Sequence, residues 1–298
     1  MRPAKKENAL SLRKGIITKF HSNFAVVKDE SEDLTTLCTL RGRLKLSKVK
    51  PMVGDRVEYI ISHDRGRIEN ILPRTITLKR PRVSNVDTVV VVITRSQPYV
   101  QWSMTDRILA GVELSNVNIV LVLNKIDVTS TEEIEKFKFI YKSYETVLTS
   151  ASKMIGIDDL EALLKDHISV FAGPSGVGKS SLLNSILKTD LKTGSVSQAT
   201  NMGRHTTTSA SLMELKNGGF VVDTPGFITM NFQEIEPLRV QELFPEIRAA
   251  SFACLFDNCV HDAEPGCHVK ELVENGEIAR SRYESYIDIL HESEGKNS

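Results

Sequence analysis

The stretch GPSGVGKS, residues 173–180, stands between the apolar run ISVFA and the helical pattern SSLLNSIL. Few eight-residue stretches restrict a fold as much. The glycines let successive backbone N–H groups curl toward one point, and a helix starting there adds its dipole. The stretch fits G-x-x-x-x-G-K-[ST], a cradle for phosphate oxygens. In such a cradle Lys179 reaches the β- and γ-phosphates and Ser180 ligates Mg²⁺, while Gly173, Pro174, Ser175, Gly176, Val177, Gly178 and Ser181 line the rest.

The surrounding pattern supplies a sheet for that loop. DTVVVVI, NIVLVLN, TVLTSA, ISVFAG and GGFVVD are near-continuous apolar runs. Parallel strands covered on both faces read this way. Helical stretches alternate with most of them: SMTDRILAGVELSN, TEEIEKFKFIYKSY, GIDDLEALLKD and GKSSLLNSILK. The alternation predicts an α/β, doubly wound sheet.

NKID, residues 124–127, ends the run IVLVL and precedes the phosphate loop. The Asp127 carboxylate can accept from N1–H and the 2-amino group of guanine, whereas adenine presents the wrong pattern. A desolvated carboxylate without its donors is costly, so the site rejects ATP. Asn124 and Lys125 brace it. TSAS, residues 149–152, ends the next strand, and the Ser150–Ala151 backbone can meet the guanine carbonyl. In an ordinary GTP-binding domain the phosphate loop comes first. Here the order is base reader, SA turn, phosphate loop, switch and VVDTPGF at 221–227. That order is a circular permutation, which a doubly wound sheet tolerates because ligands gather at the carboxyl ends of its strands.

Asp223 is placed to hold Mg²⁺ through water, and the Gly226 N–H to sense the γ-phosphate. Ras-like GTPases set a glutamine after D-x-x-G to orient the attacking water; here that residue is Phe227. The first-switch candidate is GRHTTT, residues 203–208. Thr207 is its expected Mg²⁺ ligand, and His205 its candidate for positioning water.

Two further modules flank this core. Residues 11–80 read as about five short, partly alternating strands, a pattern that suits a small barrel of OB-fold type. Residues 1–80 carry 18 Lys+Arg against 9 Asp+Glu, whereas residues 230–298 carry 6 against 14. A basic N-terminal module facing a polyanion is the expectation. After Phe227 the strands stop, and EPLRVQELFPEIRAA and EIARSRYESYIDILHES read as helices. Between them lies Cys254-x4-Cys259-x-His261-x5-Cys267, three thiolates and an imidazole that suit one structural Zn²⁺, with His268 as a competing ligand. Cys38 stands apart and reads as structural. No apolar run approaches the roughly 20 residues of a spanning helix, and no signal sequence is apparent, so a cytoplasmic protein without membrane contact is expected.

In NKID, GPSGVGKSSLLN, GRHTTT, DTPGF and the cysteine–histidine spacing, the chain resembles the RsgA (YjeQ, EngC) family of small-subunit biogenesis GTPases over nearly its whole length. The resemblance implies an N-terminal OB-fold (residues 1–72), a permuted GTPase domain (73–232) and a helical zinc domain (233–298). It implies GTP hydrolysis stimulated by the small (30S) ribosomal subunit during late assembly and 16S rRNA maturation. A monomer is expected. The alternative is a GTP-dependent switch for a protein partner, with incidental RNA contact; the basic N-terminal segment favours the first.

Overall fold

The computed structural model describes residues 11–21, 24–45, 50–62, 65–79, 81–187, 210–222 and 232–295. His205, Thr207, Asp223 and Gly226 therefore lie outside the described residues.

Strands β1 (Arg13–His21), β2 (Phe24–Asp29), β3 (Thr35–Leu40), β4 (Arg56–Ser62) and β5 (Arg65–Ile71) close into a barrel in the order β1-β2-β3-β5-β4, with β4 pairing back onto β1. One helical turn, α1 (Gly42–Lys45), follows β3. Ile17, Ala25, Val27, Val57, Tyr59 and Ile68 fill the interior. Cys38 belongs to that interior, and burial pushes its thiol up to about 12, so it is an inert core residue. This is the OB-type barrel that the strand spacing predicts.

A hairpin, β6 (Thr77–Lys79) and β7 (Arg82–Ser84), joins barrel to sheet. Asp55 pins the junction: its carboxylate accepts from Arg74 Nε at 2.6 Å and from Ser84 Oγ at 2.7 Å.

The central sheet has six strands: β8 (Thr88–Ile93), β9 (Asn118–Leu123), β10 (Glu145–Leu148), β11 (Ile168–Ala172), β12 (Leu212–Glu214) and β13 (Phe220–Val222), in the order β10-β9-β8-β11-β13-β12. All neighbours pair parallel except β12, which runs antiparallel to β13. Every residue of β8 is buried, as its valine run requires of a strand covered on both faces. Helices α2 (Trp102–Glu113), α3 (Thr131–Ile140), α4 (Ile157–Leu163) and α5 (Lys179–Leu187) provide the cover. Ser130 caps α3 by accepting from Glu133 N at 3.3 Å. The barrel and sheet share a core: Ile16 and Val53 pack with Leu78, Val83, Ile168, Leu212 and Val222.

The C-terminal segment departs from expectation in one place. EPLRVQELFPEIRAA is not one helix but a 3₁₀ segment, Pro237–Leu243, followed by α6 (Pro245–Ser251). Pro245 causes the break, since it disfavours helical backbone in the residue before it, and Phe244 is extended at φ −130° and ψ 93°. Two more helices, α7 (His268–Glu274) and α8 (Arg280–Ser293), complete the domain. It packs on α2, whose Asp106 is fully buried and accepts from Arg282 Nη1 at 2.9 Å, Tyr141 OH at 2.8 Å and Ser285 Oγ at 2.6 Å.

Candidate nucleotide and metal sites

Parallel strands deliver their following loops to one edge of the sheet, whatever their order in the chain. Three of the segments singled out in the sequence follow such strands: 124–127 after β9, 149–152 after β10 and 173–178 after β11. The side chains tie them together. Asn124, fully buried, donates from Nδ2 to Val177 O at 2.9 Å, inside the phosphate loop. Its Oδ1 accepts from Thr149 Oγ1 at 3.1 Å and from Ala151 N at 3.3 Å. One amide thus spans all three segments. Lys125, at φ 65°, donates to Gly176 O at 2.8 Å and to Gln97 O at 2.6 Å.

Asp127 is exposed and accepts from Ser150 Oγ at 2.6 Å and Ser152 Oγ at 3.3 Å. The Ser150 hydroxyl is the main cause that holds its carboxyl below the usual carboxylate range, so it is an anion at neutral pH. The Ser150 N–H is committed to Ile155 O at 3.0 Å, which leaves the Ala151 N–H, in its longer bond, as the backbone donor of that turn.

The loop itself is shaped by close approach. Gly178 has φ +99°, and a Cβ there would lie 2.3 Å from Asn124 Nδ2. Gly173 has φ +133°, and a Cβ would lie 2.1 Å from Val92 O on β8. Gly173 and Pro174 are buried, Ser175 and Gly176 exposed, and Ser180 and Ser181 half-buried in the first turn of α5. Lys179 Nζ donates to Gly173 O at 2.8 Å and Pro174 O at 2.6 Å, and burial lowers its pKa. An ammonium partly stripped of water, held by two carbonyls of the loop at the start of α5, is suited to phosphate oxygens. The sequence does not point to Gln97, because it contributes only a backbone carbonyl.

The C-terminal cluster converges fully. The ligand atoms of Cys254, Cys259, His261 and Cys267 all lie within 4.8 Å of one another. His261 Nδ1 is 3.6 Å from Cys254 Sγ and 3.4 Å from Cys267 Sγ. Its other ring nitrogen, Nε2, meets Gln241 Oε1 at 2.9 Å. The imidazole is therefore oriented from outside, as metal-bound histidines are. Three soft donors and one nitrogen, with Cys259, His261 and Cys267 buried, fit a single closed metal site. His268 is not part of it: its Nδ1 meets Glu271 Oε2 at 3.2 Å. Gln241 is invisible in the sequence, since it stands 20 residues before the histidine it orients.

Fold and sites together define a circularly permuted GTPase with a barrel before it and a metal-binding helical domain after it. A family model described as RsgA GTPase matches residues 71–233, and one described as RsgA N-terminal domain matches residues 14–68. The small ribosomal subunit biogenesis GTPase RsgA of Thermotoga neapolitana is 46% identical, over 95% of this chain and 98% of its own. That of Clostridium acetobutylicum is 39% identical, over 93% and 96%. The crystal structure of YjeQ from Thermotoga maritima superposes with a TM-score of 0.80 at 41% identity, over 96% of this chain and all of that one. YloQ, described as a circularly permuted GTPase, superposes with a TM-score of 0.82 at 34% identity, over 99% of both. The chain belongs to the RsgA GTPase family, and it binds and hydrolyses GTP.

Proposed function

We propose that this GTPase acts in late assembly of the small (30S) ribosomal subunit and 16S rRNA maturation, and that the subunit stimulates its turnover. The observation that carries the nucleotide half is Asn124, which bonds the phosphate loop and the SA turn together. Asp127 reads guanine, Ala151 meets its carbonyl, and residues 173–181 hold the phosphates. Mg²⁺ is held by Ser180, with Thr207 and Asp223 completing its shell. Zn²⁺ is the metal of the cysteine–histidine cluster, since tetrahedral thiolate–imidazole sites select it. The division at 1–72, 73–232 and 233–298 is supported by the ranges that the two family descriptions match.

The barrel supports RNA contact. Lys14, Lys19, Lys50 and Arg65 are exposed and form no ion pair among the described residues. By contrast Arg13, Arg41, Arg56 and Arg67 are paired with acidic neighbours. No helix among the described residues is long and apolar enough to cross a membrane.

Hydrolysis measured with and without saturating purified small subunits tests this reading. Phe227 cannot orient water, so the free protein turns over slowly. Subunits are expected to raise kcat by about two to four orders of magnitude through His205. His205→Ala should keep GTP affinity and lose most of the stimulation. A wild-type rate unchanged by subunits would overturn the proposal, and a variant within about threefold of wild type would remove His205 from it.

A further inference from the structure

After α6 the chain turns through Phe252 to Cys259, and three large apolar side chains point into water. Phe252 is 84% exposed, Leu255 74% and Phe256 43%. The core of this domain is built from Phe244, Ile247, Tyr286 and Ile289 and does not use them. Two of the metal-site cysteines, Cys254 and Cys259, bracket Leu255 and Phe256. Turn hydrogen bonds stiffen the loop: Cys254 N to Ser251 O at 3.0 Å and Cys259 N to Phe256 O at 3.2 Å. A stapled loop that presents apolar side chains which the fold does not bury marks a contact surface.

Charge says what kind of partner fits. Phe252 borders a cleft of about 290 Å³, shared with Glu113, Glu242 and Arg248. A second cleft of about 240 Å³ continues past Glu242 to Glu234, Glu236 and Arg239. Arg239 is already paired with Glu242. The whole segment 230–298 carries 14 acidic against 6 basic residues. Nucleic-acid stacking platforms are set in basic surroundings, because the phosphates accompany the bases. Here they would meet a net negative field. A lysine or arginine does the opposite: its stem lies along an exposed phenylalanine, its cation faces the ring, and its head enters a glutamate-lined cleft.

We propose that this metal-stapled apolar tip and its acidic clefts dock a lysine- and arginine-rich protein segment of the small ribosomal subunit, not its RNA. The inference rests on the small-subunit reading above. It gives the two ends of the chain different partners, RNA for the basic barrel and basic protein for the tip.

The test uses the full, metal-loaded chain with a photo-crosslinking residue in place of Leu255. The chain is irradiated with purified small subunits and a non-hydrolysable GTP analogue. The expected product is a crosslink to a basic subunit protein that survives ribonuclease. A crosslink to rRNA, or none while the chain co-sediments with subunits, overturns the docking assignment. Failure to co-sediment overturns the small-subunit reading and takes the docking with it. Separately, Phe252→Ser with Leu255→Ser should lower subunit affinity about tenfold, with metal content and subunit-independent GTP turnover unchanged. Affinity within about twofold of wild type contradicts the proposal.

Discussion

Asn124 carries more of the nucleotide site than its place in a four-residue motif suggests. Its amide can approach Val177 O only because position 178 has no side chain. Gly178→Ala combines an unfavourable positive φ, at about 1–2 kcal/mol, with a contact that no real Cβ makes. We expect GTP affinity to fall by at least about tenfold, measured by calorimetry. Gly276→Ala is the control, because Gly276 also has positive φ (+74°) but open space around it. If both variants bind GTP like wild type, the close approach is not required. The motif made Asn124 and Lys125 legible, since residue types at fixed spacing carry chemistry. Gln97 was not, because a backbone carbonyl leaves no mark on residue type.

Among elements, the cysteine–histidine loop and the segment beside it differ in how plainly the sequence marks them. The cysteine–histidine spacing points to the four residues whose donor atoms converge, yet leaves His268 in competition with His261. Geometry decides for His261, whose φ of 58° places an L-residue in left-handed backbone while its Nδ1 faces the thiols. Gln241 belongs to the 3₁₀ segment that the sequence suggests as ordinary helix, and its amide oxygen fixes the imidazole. Gln241→Leu keeps the volume and removes that bond. Metal affinity, measured by chelator competition, should drop by about 10–100-fold. Unchanged affinity would mean that the four ligands alone set the site. The break at Pro245 was legible in principle, but a run with helical apolar spacing on both sides of a proline invites reading as one helix.

At the scale of the molecule, the C-terminal domain is anchored twice. The chain attaches it after 227, and a buried ion pair holds it on α2. Arg282, nearly solvent-free, also pairs with Glu246 at 2.6 Å. Burial pulls its pKa down, and Asp106 and Glu246 more than offset this, so it stays cationic. Arg282→Met strands Asp106 and should cost about 3–5 kcal/mol, read as an earlier denaturation midpoint of this domain. Adding Asp106→Leu should restore part of the loss, and a single variant as stable as wild type would show that the pair does not hold the seam. No sequence pattern marks the pair: its members lie 176 residues apart, and each reads alone as a solvated helix charge. The sheet was more legible, because its apolar runs and loop motifs survive reordering. If its strands are renumbered from β11 as first, the order β10-β9-β8-β11-β13-β12 becomes 6-5-4-1-3-2, with the phosphate loop first and the base reader fifth. The central claim is that these reordered segments make one guanine site. Calorimetry of Asp127→Asn with GTP and with xanthosine triphosphate tests it most directly. The account predicts that GTP affinity falls by about two orders of magnitude or more while xanthosine triphosphate becomes the better ligand, since an amide oxygen and amine complement xanthine and not guanine. A variant that binds GTP as wild type does, and discriminates against xanthine as wild type does, would contradict it.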